Sequence, residues 1–241
     1  MILRLLLFCS LLALPLHAQD CTNLPFEVQL AHDVNHWGGS GFHSASGVVS
    51  DALLPLTIGV PVMLVAYGAL EMQIFEGAEG YRHKYAFQSG LEIASSLVAA
   101  YGTVFIAKKI FGRARPYQEH PDCITNYRDD AYGSFPSGHS AGSAALATSL
   151  SLAYPEWYVI APSVAYALYT GFSRMHLGMH YLSDVVGGYA VGVGAAVVVH
   201  LLRNHFFPYE GEGMATNTQQ NFPRLAVLNP YQPVFAVTIP F

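Results

Sequence analysis

Apolar residues in this chain come in long unbroken runs, not in strand-like alternation. Charge-free stretches run from Ala52 to Leu70, Ile93 to Ala107, Ser140 to Ala153, Val159 to Phe172 and Val185 to Leu202. The first and last approach the roughly 20 residues that an α-helix needs to cross a bilayer. The middle ones are shorter, the length of buried helices as much as of spans. Runs such as Ser140-Ala-Gly-Ser-Ala-Ala and Gly187-Gly188 put small side chains where helices press closely together. Five core helices are therefore predicted, in an all-α, membrane-embedded bundle.

The flanking segments read differently. Phe26 to Trp37 mixes apolar and polar positions, as a short helix lying at the membrane interface does, with Trp37 at headgroup level. His32, Asp33 and His36 within it read as a solvated face, since no further metal ligand stands nearby. Glu71 to Tyr85 is polar and carries Arg82, His83 and Lys84, the mark of a connecting loop on the cytoplasmic side. In the tail, Leu225 to Leu228 and Val234 to Ile239 bracket Asn229-Pro230-Tyr231-Gln232-Pro233, a pattern of two short strands around a turn. Residues 1–18 hold Arg4, an apolar run from Leu5 to Leu16 and then small Ala18, which reads as a secretory signal peptide cleaved after Ala18. The alternative is an uncleaved anchor, and export follows in both cases. The expected layout is a signal at 1–18, one domain at 26–205 and a tail at 206–241.

Composition supports lipid as part of the solvent. Apolar residues make up 52% of the 241 and charged residues only 11%, against about a quarter charged in an average soluble domain. The net charge of −5 leaves no basic field to draw nucleic acid. Internal repeats, Gly-rich nucleotide loops, zinc-ligand spacings and paired-cysteine redox motifs are all missing from the sequence. In an oxidising compartment Cys21 and Cys123 can pair, or they can remain two thiols.

Three polar clusters stand beside the apolar runs. The first is Lys108, six residues, then Arg115-Pro116; Lys109 and Arg113 between them read as solvated. Two cations reaching past an apolar helix are best explained by a bound anion, because an unpartnered buried charge is costly. Arg115 can grip two phosphate oxygens, whereas Lys108 acts as a point charge. The second cluster is Pro136-Ser137-Gly138-His139. Ser137 suits a helix N-cap and Gly138 permits close approach of a ligand, so a helix starting here aims N–H groups and its positive dipole end at an anion. The third is Ser173-Arg174, five residues, His180, three residues, Asp184. At a separation of four, the Asp184 carboxylate can reach one imidazole nitrogen of His180 and leave the other for nucleophilic attack.

These clusters resemble the three signature motifs of the type 2 phosphatidic acid phosphatase superfamily, which takes in membrane lipid phosphatases, soluble class A acid phosphatases and vanadium haloperoxidases. All fixed positions are present and in order, over about residues 26 to 205. The resemblance implies a helical bundle with the site at one end. It also implies that His180 is the nucleophile, Asp184 its orienting partner and His139 the general acid. Lys108, Arg115, Ser137, Gly138 and Arg174 would hold the phosphoryl oxygens, and neither metal nor cofactor is required. A metal-independent lipid phosphate or diphosphate phosphatase follows, in a bacterial inner membrane with its site facing the periplasm. A soluble exported acid phosphatase would be more polar overall, a haloperoxidase usually much longer, and a non-catalytic scaffold would be expected to have lost His139, His180 or Asp184. The helices do not distinguish undecaprenyl diphosphate, phosphatidylglycerol phosphate, phosphatidic acid or a lipid A phosphate as substrate. The loop from Tyr117 to Phe135 is expected to shape that choice, while its His120, Asp122, Arg128, Asp129 and Asp130 read equally as a solvated loop face.

Overall fold

The computed structural model describes residues 21–74, 80–128 and 132–207, so the expected signal segment and the expected C-terminal strands lie outside the described residues. Among the described residues every regular element is helical: α1 (Phe26–Asn35), α2 (Ser40–Asp51), α3 (Leu53–Ile74), α4 (Gly80–Phe111), α5 (Pro116–Glu119), α6 (Gly138–Ala153), α7 (Trp157–His176) and α8 (Leu182–Phe206). The five apolar runs fall in α3, α4, α6, α7 and α8.

Two expectations change. The expected loop Glu71 to Tyr85 is mostly helix, with α3 continuing to Ile74 and α4 starting at Gly80. Polar residues end a bilayer span without ending a helix, and Glu, Met and Gln at 71–73 are good helix formers. Residues 40–51, for which no element was predicted, form α2 despite two glycines and four serines. Tertiary contacts offset that weak propensity: Ser46 Oγ lies 2.8 Å from His176 Nδ1, and Ser50 Oγ accepts a hydrogen bond from Arg174.

Three helical segments are long and apolar enough to cross a membrane: Ser40–Leu70, Lys84–Glu119 and Leu182–Phe206. Val62, Met63, Val98, Ile106, Val186 and Leu201 point outward from them, unburied by protein. Apolar side chains on both the inner and outer faces are what a lipid-solvated helix carries.

α6 sits at the centre, packed on α4, α7 and α8, while α3 covers α4 and α2 covers α7. The α6–α8 contact is close because Gly188 and Gly192 share a face. A Cβ on Gly188 would stand 2.5 Å from the Ser137 carbonyl oxygen, and one on Gly192 would stand 2.2 Å from that of Ala141. Small residues at a spacing of four let backbones approach where hydrophobic burial from water is not available to drive packing. Ile93, Leu97, Ala100, Ala145 and Leu146 form the core between α4 and α6. Next to Ile93 on α4, buried Glu92 accepts hydrogen bonds from His200 Nδ1 at 2.7 Å and Arg203 Nε at 2.8 Å, which joins α4 to α8 by a compensated charge.

The chain path decides where the chemistry falls. α3, α6 and α8 begin at the end of the bundle where α4 and α7 finish. All three sequence clusters lie at those termini and in the short connections between them.

Candidate active site

Each polar cluster is positioned by a helix terminus. α4 stops at Phe111, Gly112 follows with a positive φ of 55°, and Arg115 begins α5 in extended conformation. The Lys108 ammonium donates to the Gly133 carbonyl oxygen. Arg115 is fully buried. Its Nε and Nη2 donate to the Tyr132 carbonyl at 3.1 and 3.0 Å, and Nη1 donates to the Met179 carbonyl at 3.0 Å. Nη1 also lies 3.3 Å from His180 Nε2. The guanidinium thus takes its orientation from two backbone carbonyls and points one arm at the imidazole.

Ser137 caps α6 through its Oγ, which accepts from Ser140 N at 3.3 Å. Ser137 N donates to the Asp184 carbonyl oxygen at 2.9 Å, tying the start of α6 to the start of α8. Gly187 and Gly188 make that approach possible, since a Cβ on Gly187 would stand 2.7 Å from the Phe135 ring. Gly138 and His139 line a cavity of about 440 Å³ together with Ser50, Asp51, Leu53, Leu54 and Tyr101. The nearest protein atom to a Cβ on Gly138 would be 3.7 Å away, so protein packing does not demand a glycine there.

The third cluster turns at Gly178, whose φ of 75° reverses the chain after α7. Arg174 Nη1 donates to Ser50 Oγ at 2.6 Å. His180 is buried, with Nδ1 3.6 Å from Asp184 Oδ2 and 3.4 Å from Ser134 Oγ. Asp184 Oδ2 accepts from Ser134 Oγ at 2.5 Å and from Tyr181 N at 2.9 Å. The two ring nitrogens therefore differ: Nδ1 faces the serine and the carboxylate, Nε2 faces Arg115. Burial, reinforced by the positive charge of Arg174 and Arg115 and opposed by Asp184, pushes the His180 pKa down to about 3. Its imidazole is neutral at ordinary pH.

Arg113 corrects the reading of that residue as solvated. Its Nη1 donates to Asp184 Oδ1 at 2.9 Å and to Ser183 Oγ at 2.6 Å, while Nη2 donates to Glu27 Oε2 at 3.0 Å. The guanidinium lies over the Tyr181 ring at 4.2 Å. Gly112 held the clue: once the helix ends, residues 113 and 115 of an extended segment share a face. Glu27 also accepts from Ser183 N at 2.8 Å. Burial acts to raise the Glu27 pKa, but the Ser183 and Arg113 contacts outweigh it and leave the carboxylate below its usual range. Helix α1 is thus docked against the start of α8, and a disulfide between Cys21 and Cys123 joins the chain just ahead of it to the loop after α5. Ser134, Ser50 and Glu27 were not singled out in the sequence, because serines and a lone glutamate carry no spacing signal.

Arg113→Gln should lower kcat by about 10-fold with a smaller change in KM, because Asp184 Oδ1 loses a charged hydrogen-bond partner. Steady-state kinetics checks this, and partial recovery in Arg113→Lys is expected because a point charge restores the ion pair but not the fork.

Residues 89–208 match the PAP2 superfamily model. The lipid A 1-phosphatase of Rhizobium johnstonii is 33% identical over 132 residues, covering 49% of this chain and 53% of that protein. The undecaprenyl-diphosphatase BcrC of Bacillus subtilis is 30% identical over 131 residues, covering 54% and 64%. The chain thus spans between about half and two thirds of the length of these relatives. Its fold is similar to the crystal structure of Aquifex aeolicus LpxE, with a TM-score of 0.59 at 18% identity over 74% of this chain and 97% of that one. It is also similar to a transmembrane PAP2-type phosphatidylglycerolphosphate phosphatase from Bacillus subtilis, with a TM-score of 0.57 at 19% identity over 85% and 96%.

Proposed function

Since the chain belongs to the PAP2 superfamily, we propose that it is a membrane-embedded phosphatase that removes phosphate from a phosphorylated lipid through a phosphohistidine, without a metal. The observation that carries this reading is the asymmetry around His180: a neutral imidazole with Nδ1 toward Ser134 and Asp184 and Nε2 beside the Arg115 guanidinium. A proton on Nδ1 leaves the Nε2 lone pair free for attack on phosphorus.

In the first step the Nε2–P bond forms, the P–O bond to the lipid breaks, and His139 gives its proton to the departing oxygen. In the second, His139 takes a proton from water, the water oxygen attacks phosphorus, and the P–N bond breaks to release inorganic phosphate. Lys108, Arg115 and Arg174 supply the positive charge that the transferring phosphoryl group needs, together with Ser137, the backbone of Gly138 and the N-terminus of α6. These cations take the part a metal plays in other phosphoryl-transfer sites.

A phosphorylated lipid as substrate is supported by the apolar spans and by the activities in the names of the relatives. An inner-membrane location with the site on the periplasmic face is supported by the Cys21–Cys123 disulfide beside that end of the bundle, which belongs in an oxidising compartment. The test is phosphate release by the detergent-solubilised protein with chelator present, across undecaprenyl diphosphate, phosphatidylglycerol phosphate, phosphatidic acid, lipid A and a water-soluble aryl phosphate. Preference for a lipid is expected. Preference for the aryl ester would move the reading to an exported acid phosphatase, and dependence on added metal would sink the mechanism.

A further inference from the structure

The cavity beside His139 has a chemical polarity that narrows the substrate. In an in-line transfer the leaving oxygen departs on the side away from the nucleophile, where the acid that protonates it must stand. With His180 as nucleophile and His139 as acid, the leaving group occupies the cavity that His139 lines. At about 440 Å³ that cavity has the size of a small-ligand site. Leu53, Leu54 and Tyr101 supply its large apolar lining. Tyr101 can lie over α6 because position 142 is glycine, where a Cβ would stand 2.2 Å from the tyrosine oxygen.

Besides His139, the polar lining side chains are Ser50 and Asp51. Asp51 Oδ2 accepts from Arg128 Nη2 at 2.7 Å, and that nitrogen lies against α2, 2.7 Å from where a Cβ on Gly47 would be. Asp51 belongs to the cavity lining while Arg128 does not. Asp51 thus brings an acidic residue to the leaving-group side, and its counter-cation comes from outside the lining. We propose that Asp51, backed by Arg128, determines specificity on the leaving-group side. It admits lipid phosphomonoesters, whose leaving group is a neutral alcohol, and disfavours lipid diphosphates, whose leaving group is itself an anionic phosphate. The inference rests on the phosphatase reading above and is specific to this chain's α2 and to the loop after α5.

The test uses two lipids that differ only in the leaving phosphate, phosphatidic acid and diacylglycerol pyrophosphate, with kcat/KM measured for the detergent-solubilised full chain. Wild type should prefer the monoester by about 10-fold or more, the scale of one like-charge contact in a partly solvated site. Asp51→Asn should move the ratio toward the diphosphate, and Arg128→Gln should move it further toward the monoester. Both side chains are substantially exposed, 61% for Asp51 and 43% for Arg128, so neither change opens the core. A wild type that prefers the diphosphate, or variants whose ratios move together or stay within twofold, would overturn the role of Asp51 while leaving the phosphatase intact. If wild type hydrolyses neither lipid but releases phosphate from another substrate named above, the specificity role of Asp51 is overturned alone; release from none of them overturns both.

Discussion

His180→Ala should abolish phosphate release, with kcat falling about 10⁴-fold or more, equivalent to about 5.5 kcal/mol of transition-state stabilisation. His180 supplies the neutral nitrogen held between a carboxylate and a guanidinium, and alanine removes it. Rapid-quench labelling with a radioactive lipid phosphate should show an acid-labile phosphoenzyme in wild type and none in the variant. Retention of more than a trace of turnover would remove His180 as nucleophile. The same pair of proteins also tests the electrostatics. Folded His180 has its pKa pushed from 6.5 to about 3, so between those values the unfolded chain binds a proton that the folded chain refuses. Wild-type stability therefore rises with pH up to about 6.5 and is lost as the pH falls below it. At pH 5.5 the loss attributable to this one group is about 1.4 kcal/mol, and thermal unfolding of His180→Ala should lack that component.

Arg115→Lys should cost both activity and stability, with kcat/KM down about 10²- to 10³-fold and unfolding easier by about 2–4 kcal/mol. A point charge cannot make a bidentate grip on phosphate. The structure adds that the guanidinium is already orienting itself on the Tyr132 and Met179 carbonyls, which come from the segments ahead of α6 and ahead of α8. An ammonium cannot serve two carbonyls on different segments and also approach His180 Nε2. Near-normal kinetics with an unchanged melting temperature would refute both arguments. A large loss of stability with normal turnover would leave Arg115 as a structural clamp alone.

Periodicity located the core helices because each is a run of apolar residues longer than any strand, and in lipid a helix must satisfy its own backbone. Spacing identified the clusters because a four-residue separation lets Asp184, in the first turn of α8, reach back to His180 ahead of the helix, and because Ser-Gly before an apolar run marks a helix start. Neither signal is available for α2. Its serines and glycines are poor helix formers, and what holds it is the contact of Ser46 and Ser50 with residues more than a hundred positions away.

The apolar spans, the order of the clusters and the residue types in each are readable from the amino-acid sequence. Those properties depend on neighbours within a turn or two. Long-range packing alone brings Arg113 onto Asp184, adds Glu27 from α1, and sets Asp51 in the lining of the cavity beside His139. The reason is physical: a charged side chain takes whatever partner the packing of distant helices brings within about 3 Å, and here glycines such as Gly187 and Gly188 set how near those helices come.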